Sequence, residues 1–229
     1  MKQFFYIFGL MFLAAACKTD NPENKSFRLP ELEKNKDNVL KLRIEEKPDL
    51  RALTDKLSEM NRGGIEKFLE KKGLSLFEAS YALHFLGNRY FSENQFDKGM
   101  LYQQIAADYY LNPYAMLRLA LIYSKSADEI QKSLPKGQAS DFKQDFAKSF
   151  YYLHWAINTA IMTMEYFSDR TVAEDINRFG APIISLYEKK DSVILGNFDI
   201  TEAEKKAVDN MPIIKATFEK LYRVNQKNL

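Results

Sequence analysis

The chain has 229 residues, 46% of them hydrophobic and 14% aromatic, which is enough to bury a sizeable core in one domain or a tightly joined pair. A formal net charge of +2 argues against a nucleic-acid binder, which needs a clustered basic surface. With Cys17 as the sole cysteine there is no internal disulfide, so stability has to come from packing.

Lys2 gives a positive start, residues 4–16 form a short apolar run, and Ala14, Ala15 and Ala16 stand directly before Cys17. This pattern predicts a secretory signal peptide over residues 1–16, too short for a mature membrane span. It resembles a bacterial lipoprotein signal, in which the cysteine becomes the lipidated first residue of the mature protein. The family usually has leucine three residues before the cysteine; here Ala14 stands there and Leu13 lies one position further out. An ordinary signal peptide with an incidental cysteine is the alternative. The resemblance implies several acyl groups on Cys17, and more than one is what stable anchoring requires. Lys18, in place of the aspartate that commonly signals inner-membrane retention, implies the outer membrane, with the body on either side of it. No later stretch reaches about 18 uninterrupted apolar residues.

Residues 17–30 are polar and read as a lipidated cysteine followed by a flexible tether. Residues 31–229 read as one α-helical domain. Val39, Leu40, Leu42 and Ile44 fit either a short strand or a helix, and Pro48 ends that segment. Leu50, Leu53, Leu57 and Met60 follow helical spacing up to a turn at Gly63-Gly64, and a short segment over 65–72 stops at Gly73. Ser75 and Glu78 form a capping box that opens a helix over 76–91, and a second helix follows over 96–109. Asn112-Pro113 starts the next pair. Residues 124–141, with Pro135 and Gly137, predict an unusually long connection to a helix over 142–167. Thr171 with Glu174 and Thr201 with Glu204 are further capping boxes; Gly180 and Pro182 predict an interruption of the first helix, and Pro212 a kink in the second. The sum is an all-α body of eight to ten helices.

Within it lies a repeat. Ala82, Leu86, Gly87 and Tyr90 recur 33 residues later as Ala115, Leu119, Ala120 and Tyr123. Lys98, Gly99, Tyr102 and Ala106 correspond to Lys148, Ser149, Tyr152 and Ala156, so the unit is a helix pair present twice. At these residues the protein resembles the tetratricopeptide and Sel-like helical-repeat families. The resemblance implies a short solenoid with a repeat core over 75–167 and additional N- and C-terminal helices. Gly99 and Ser149 stand where those families usually have alanine, and the second copy lacks the glycine after Leu119.

No catalytic constellation is visible. His84 and His154 lack metal-ligand spacing, no nucleophile elbow or phosphate-cradling loop occurs, and the adjacent acids Glu45-Glu46, Asp128-Glu129 and Glu174-Asp175 diverge on a helix. The prediction is no enzyme, no metal and no cofactor. Tyr109, Tyr110, Tyr114, Phe150, Tyr151, Tyr152 and Trp155 read as interhelical packing, with a ligand or partner surface as the alternative. By the repeat resemblance the first helix of each pair lines a concave face. Tyr81, His84, Asn88 and Phe91 then form one stripe, with Tyr114, Leu117, Arg118 and Leu121 beside it, and Asn88 and Arg118 are placed to bond a peptide. The leading functional expectation is a lipid-anchored envelope adaptor or assembly factor that binds a protein or peptide partner. The alternatives are an accessory lipoprotein that captures a sugar or peptide, and a hydrolase built from dispersed carboxylates.

Overall fold

The computed structural model describes residues 42, 48–133, 140–188 and 200–224. The leader, Cys17, the tether and the strand-or-helix segment, apart from Leu42, lie outside these. Among the described residues the fold is all-α, with eight helices. They are α1 Leu50–Glu59, α2 Arg62–Leu69, α3 Leu76–Ser92, α4 Phe96–Tyr110, α5 Pro113–Ser133, α6 Ser140–Phe167, α7 Thr171–Glu188 and α8 Ile200–Leu221.

Local chemistry sets several starts. The N–H groups of a helix's first turn have no partner inside the helix, and a short polar residue just before it supplies one. Asp49 accepts from the Ala52 N–H at 2.9 Å and Asn61 from the Gly64 N–H at 2.8 Å. Ser75 and Glu78 close the expected capping box, at 3.1 and 2.9 Å. Asn112 caps α5 through the Ala115 N–H at 2.9 Å, and Pro113 takes the first helical position, where a missing N–H costs nothing. Leu111 before it is left-handed, with φ of 50°, and its side chain is buried; this lets the Asn112 N–H return to the Ala106 C=O at 3.0 Å.

Several boundaries differ from the sequence expectation. Gly63 and Gly64 do not turn the backbone but sit in the first turn of α2, because Asn61 already caps it. The polar stretch 124–141 is not mostly loop: α5 runs to Ser133 and α6 begins at Ser140, since polar residues such as Lys125 and Glu129 are good helix formers and only Pro135 and Gly137 break the pattern. α7 passes unbroken through Gly180 and Pro182. Pro182 and Arg178, whose carbonyl loses its helical partner, are both exposed, so water can replace that bond. Gly180 serves close packing, with the Leu153 side chain 3.2 Å from where its Cβ would stand. Thr171 is the first residue of α7 and not its cap; its N–H donates to Asp169 at 2.9 Å. α8 begins at Ile200, so Thr201 is likewise inside the helix and not its cap, and Pro212 lies within α8 as expected.

The helices pack largely in sequence order. α3 lies on α4, α4 on α5, α5 on α6, and α6 on both α7 and α8; α7 returns to α5, while α1 and α2 cover α3. One continuous core results, from Leu50 and Ile65 through Phe77, Leu86, Leu119 and Trp155 to Phe218 and Tyr222. Its contacts repeat with the sequence offset. Tyr90 stacks on Tyr102 with centroids 5.3 Å apart and the Lys98 ammonium 5.3 Å from the Tyr90 ring; Tyr123 stacks on Tyr152 at 6.0 Å with Lys148 5.1 Å from Tyr123. Small residues stand at the crossings: Ala106, Ala107, Ala120 and Ala156 are wholly buried, and the Ser149 hydroxyl donates to the Ala120 C=O at 2.7 Å.

At Gly87 the space a Cβ would take is already occupied, with Gln103 Nε2 at 2.9 Å and its Cγ and Cδ at 3.1 Å. Gly87→Leu should therefore cost about 1–3 kcal/mol by overpacking, read as a melting temperature lower by several degrees at about 2–4 °C per kcal/mol. An unchanged melting temperature would place the α3–α4 crossing elsewhere.

Candidate functional site

The stripe anticipated on α3 and α5 divides by depth. Tyr81 is buried in the core, 1% exposed, its ring edge-on to Tyr114 with centroids 5.7 Å apart, so it does not belong to an open face. The reason is the return of α7: the Tyr114 hydroxyl donates to Asp175 at 2.7 Å, and this contact closes the Tyr81 end of the stripe. His84 and Leu117 are buried as well. Asn88, Phe91, Tyr114 and Leu121 are half-buried, and Arg118 is exposed with its guanidinium carbon 5.4 Å from the Phe91 ring centroid.

Beneath this outer part lies a closed hydrogen-bond circuit that the sequence reading missed, because its central member, Gln103, comes from α4. Gln103 has no exposed surface, so each of its polar atoms needs a partner. Its Nε2 donates to the His84 backbone carbonyl and to Asn88 Oδ1, both at 3.0 Å, and its Oε1 lies 2.9 Å from His84 Nδ1. Asn88 Nδ2 lies 3.1 Å from His84 Nε2. A carbonyl only accepts, so the backbone of His84 fixes which end of the Gln103 amide faces it. Oε1 must then face an N–H, which makes His84 the Nδ1–H tautomer, and Nε2 accepts from Asn88. The helical glycine Gly87 was a signal of close approach, but a single sequence does not say which side chain approaches.

His84 is neutral in this setting. Burial pushes its pKa down from 6.5 to about 4; the Gln103 bond opposes that shift and the nearby positive charge of Arg118 adds to it. A second proton would sit on Nε2 and confront the Asn88 N–H. With both ring nitrogens engaged, His84 can serve as a ligand or base only by breaking the circuit. Asn88 spends one N–H on His84 and one lone pair on Gln103. One donor and one acceptor remain on a half-buried amide, the pair that a peptide unit matches.

The aromatic clusters line the core. Phe150, Tyr151, Tyr152 and Trp155 are buried, so these four rings present no platform for a sugar, while Tyr109 and Tyr110 are half-buried. His154, half-buried, lies against Phe150 at 4.3 Å between centroids. Among the described residues no three His, Cys, Asp or Glu side chains group as metal ligands. A depression of about 320 Å³ at the α6–α7 corner is lined by Met164, Glu165, Ser168 and Arg170. Between the pairs, the Tyr152 hydroxyl donates to Asp108 at 3.0 Å, and burial pushes that carboxyl up to about 7 against the effect of the Tyr152 bond.

The two buried groups impose opposite pH dependences. The lowered pKa of His84 means the unfolded state binds its proton more readily, so stability is lost as pH falls from 6.5 through about 4. The raised pKa of Asp108 means the folded state holds its proton more tightly, so stability is lost as pH rises from 3.8 through about 7. The slopes oppose each other where these windows overlap. Asp108→Asn keeps an acceptor for Tyr152 and should leave a net rise of stability with pH across that overlap, steeper than in the natural protein; urea unfolding at a series of pH values measures it.

Comparison with protein-family models, with curated proteins and with solved structures finds no match to this sequence.

Proposed function

We propose that the protein is a lipid-anchored component of the bacterial envelope, and that its body is a short tetratricopeptide-like solenoid acting as an adaptor or assembly factor. The anchor reading rests on the short apolar leader ending at Cys17. The solenoid reading is supported by the repeated Tyr–Tyr–Lys contacts at the sequence offsets of the two helix pairs. The observation that carries the binding role is the Asn88 amide, held from below by His84 and Gln103 with one donor and one acceptor left over, beside the Phe91 ring and the Arg118 guanidinium. Such an edge suits an extended peptide: the amide pairs with a peptide unit, the ring takes an apolar side chain, and the guanidinium takes a carboxylate.

Mild crosslinking in intact envelopes, followed by affinity capture and mass spectrometry, tests this. A partner captured reproducibly by the natural protein should be lost from the Asn88→Ala, Arg118→Ala double variant. Capture of no partner, or of one indifferent to the double variant, would overturn the assignment of this face. Cys17→Ala should move the protein from the membrane to the soluble fraction. If that variant stays with membranes through a high-salt wash, the lipid is not the main attachment.

A further inference from the structure

One side of α4 carries an ordered pattern whose ends touch the body, Lys98 over the Tyr90 ring and Asp108 on the Tyr152 hydroxyl, and whose middle is open at Leu101. Lys98, Leu101, Ile105 and Asp108 follow three-four-three spacing, the seam of paired helices, directly opposite the buried Gly99, Gln103, Ala106 and Ala107. α4 packs through that buried side against α3 and α5. Leu101 is 52% exposed, the highest value among the exposed large apolar residues described; Lys98 is exposed, and Ile105 and Asp108 are half-buried. The second helix pair uses the same register differently. The counterparts of Leu101 and Ile105 in α6 are Tyr151 and Trp155, at 5% and 1% exposure, within the helices packed on α6. The fold thus buries the middle of this stripe in one copy and leaves Leu101 open in the other.

The order of the stripe is basic, apolar, apolar, acidic, which reads as its own complement in reverse. Laid antiparallel about Gln103, two such helices set Leu101 of each against Ile105 of the other and Lys98 of each against Asp108 of the other. We infer that the outward face of α4 is a homotypic contact, on which a second copy of this protein packs its own α4 antiparallel across a two-fold axis. Two observations support a second copy as the occupant. The charges match only in the antiparallel, self-complementary arrangement, which is the requirement of an isologous interface. And Asp108 has one side-chain partner among the described residues, the Tyr152 hydroxyl, with no cation; Lys98 of the second copy supplies one at the other end of the seam. The contact is small, below about 1,200 Å² in total, so the association is weak and concentration-dependent. It lies on α4 and does not depend on the adaptor reading of α3 and α5.

A zero-length carbodiimide crosslink tests the geometry. Lys98 and Asp108 of one molecule are separated by about 15 Å along α4, so an isopeptide bond between them has to join two molecules. The full-length protein, unlabelled and nitrogen-isotope-labelled in equal parts, is crosslinked and mapped, and its association is followed by sedimentation from about 10 µM to about 500 µM, the range of weak contacts. The expected result is a mixed-isotope Lys98–Asp108 peptide and a concentration-dependent dimer. Leu101→Glu, at an exposed position, should abolish both while leaving the circular dichroism unchanged. Lys98→Glu, which sets glutamate against Asp108, should weaken association by about tenfold or more. A monomer throughout the range with no mixed-isotope peptide would overturn the inference, as would a dimer that persists in Leu101→Glu.

Discussion

The crossing of α3 and α4 rests on one exchange of space: Gly87 gives up a side chain, and Gln103 fills the volume with an amide. A buried primary amide is costly unless each of its hydrogens and its oxygen is used, and here the His84 carbonyl, the His84 ring and the Asn88 amide use them. Leucine at the same place would bury as well but would not select one register. The amide finds all its partners only when Gly87 stands over Gln103, so the bonding pattern fixes the helix positions together with the apolar contacts around it. The Tyr90–Tyr102 stack extends the same register toward α2, where the Tyr90 hydroxyl donates to Glu66 at 2.9 Å.

The second pair solves the crossing without a buried amide. Ala120 replaces Gly87, Leu153 takes the place equivalent to Gln103, and the polar ties come from hydroxyls, Ser149 to the Ala120 carbonyl and Ser126 to Asp145. Its interior is instead filled by rings, with Tyr152 and Trp155 edge to face at 5.6 Å and Tyr166 stacked on Phe218 at 6.1 Å. α6 has 28 residues against 15 in α4, and the additional length is where α8 packs. The two pairs therefore share a contact geometry and differ in what they leave accessible. Leu101 of α4 is left exposed, while its counterpart in α6, Tyr151, is buried.

Much of this was legible in the sequence, and what was not has identifiable causes. The Ser75–Glu78 box, the Asn112-Pro113 start and the long helix ending at Phe167 are local signals and read correctly. The offsets linking Tyr90 with Tyr123 and Tyr102 with Tyr152 named residues that make equivalent stacks. Glycine and proline were over-read. At Gly63, Gly64, Gly180 and Pro182 the backbone stays helical because a cap, a close neighbour or solvent meets the local need. The candidate face was legible only on its own helices. Gln103 and Asp175 arrive from α4 and α7, and their positions follow from packing that no spacing along α3 encodes.

The circuit around His84 also has a direction. Its sense begins at a backbone carbonyl that cannot reverse, passes through a glutamine on the next helix, and ends at an asparagine that meets solvent. Which edge of the Asn88 amide offers hydrogen and which offers lone pairs is thus decided from inside the protein. The surface of α3 carries a polarity set by a residue that never reaches it. A change at Gln103 would reorder the donors and acceptors this face presents while leaving every exposed residue as it was.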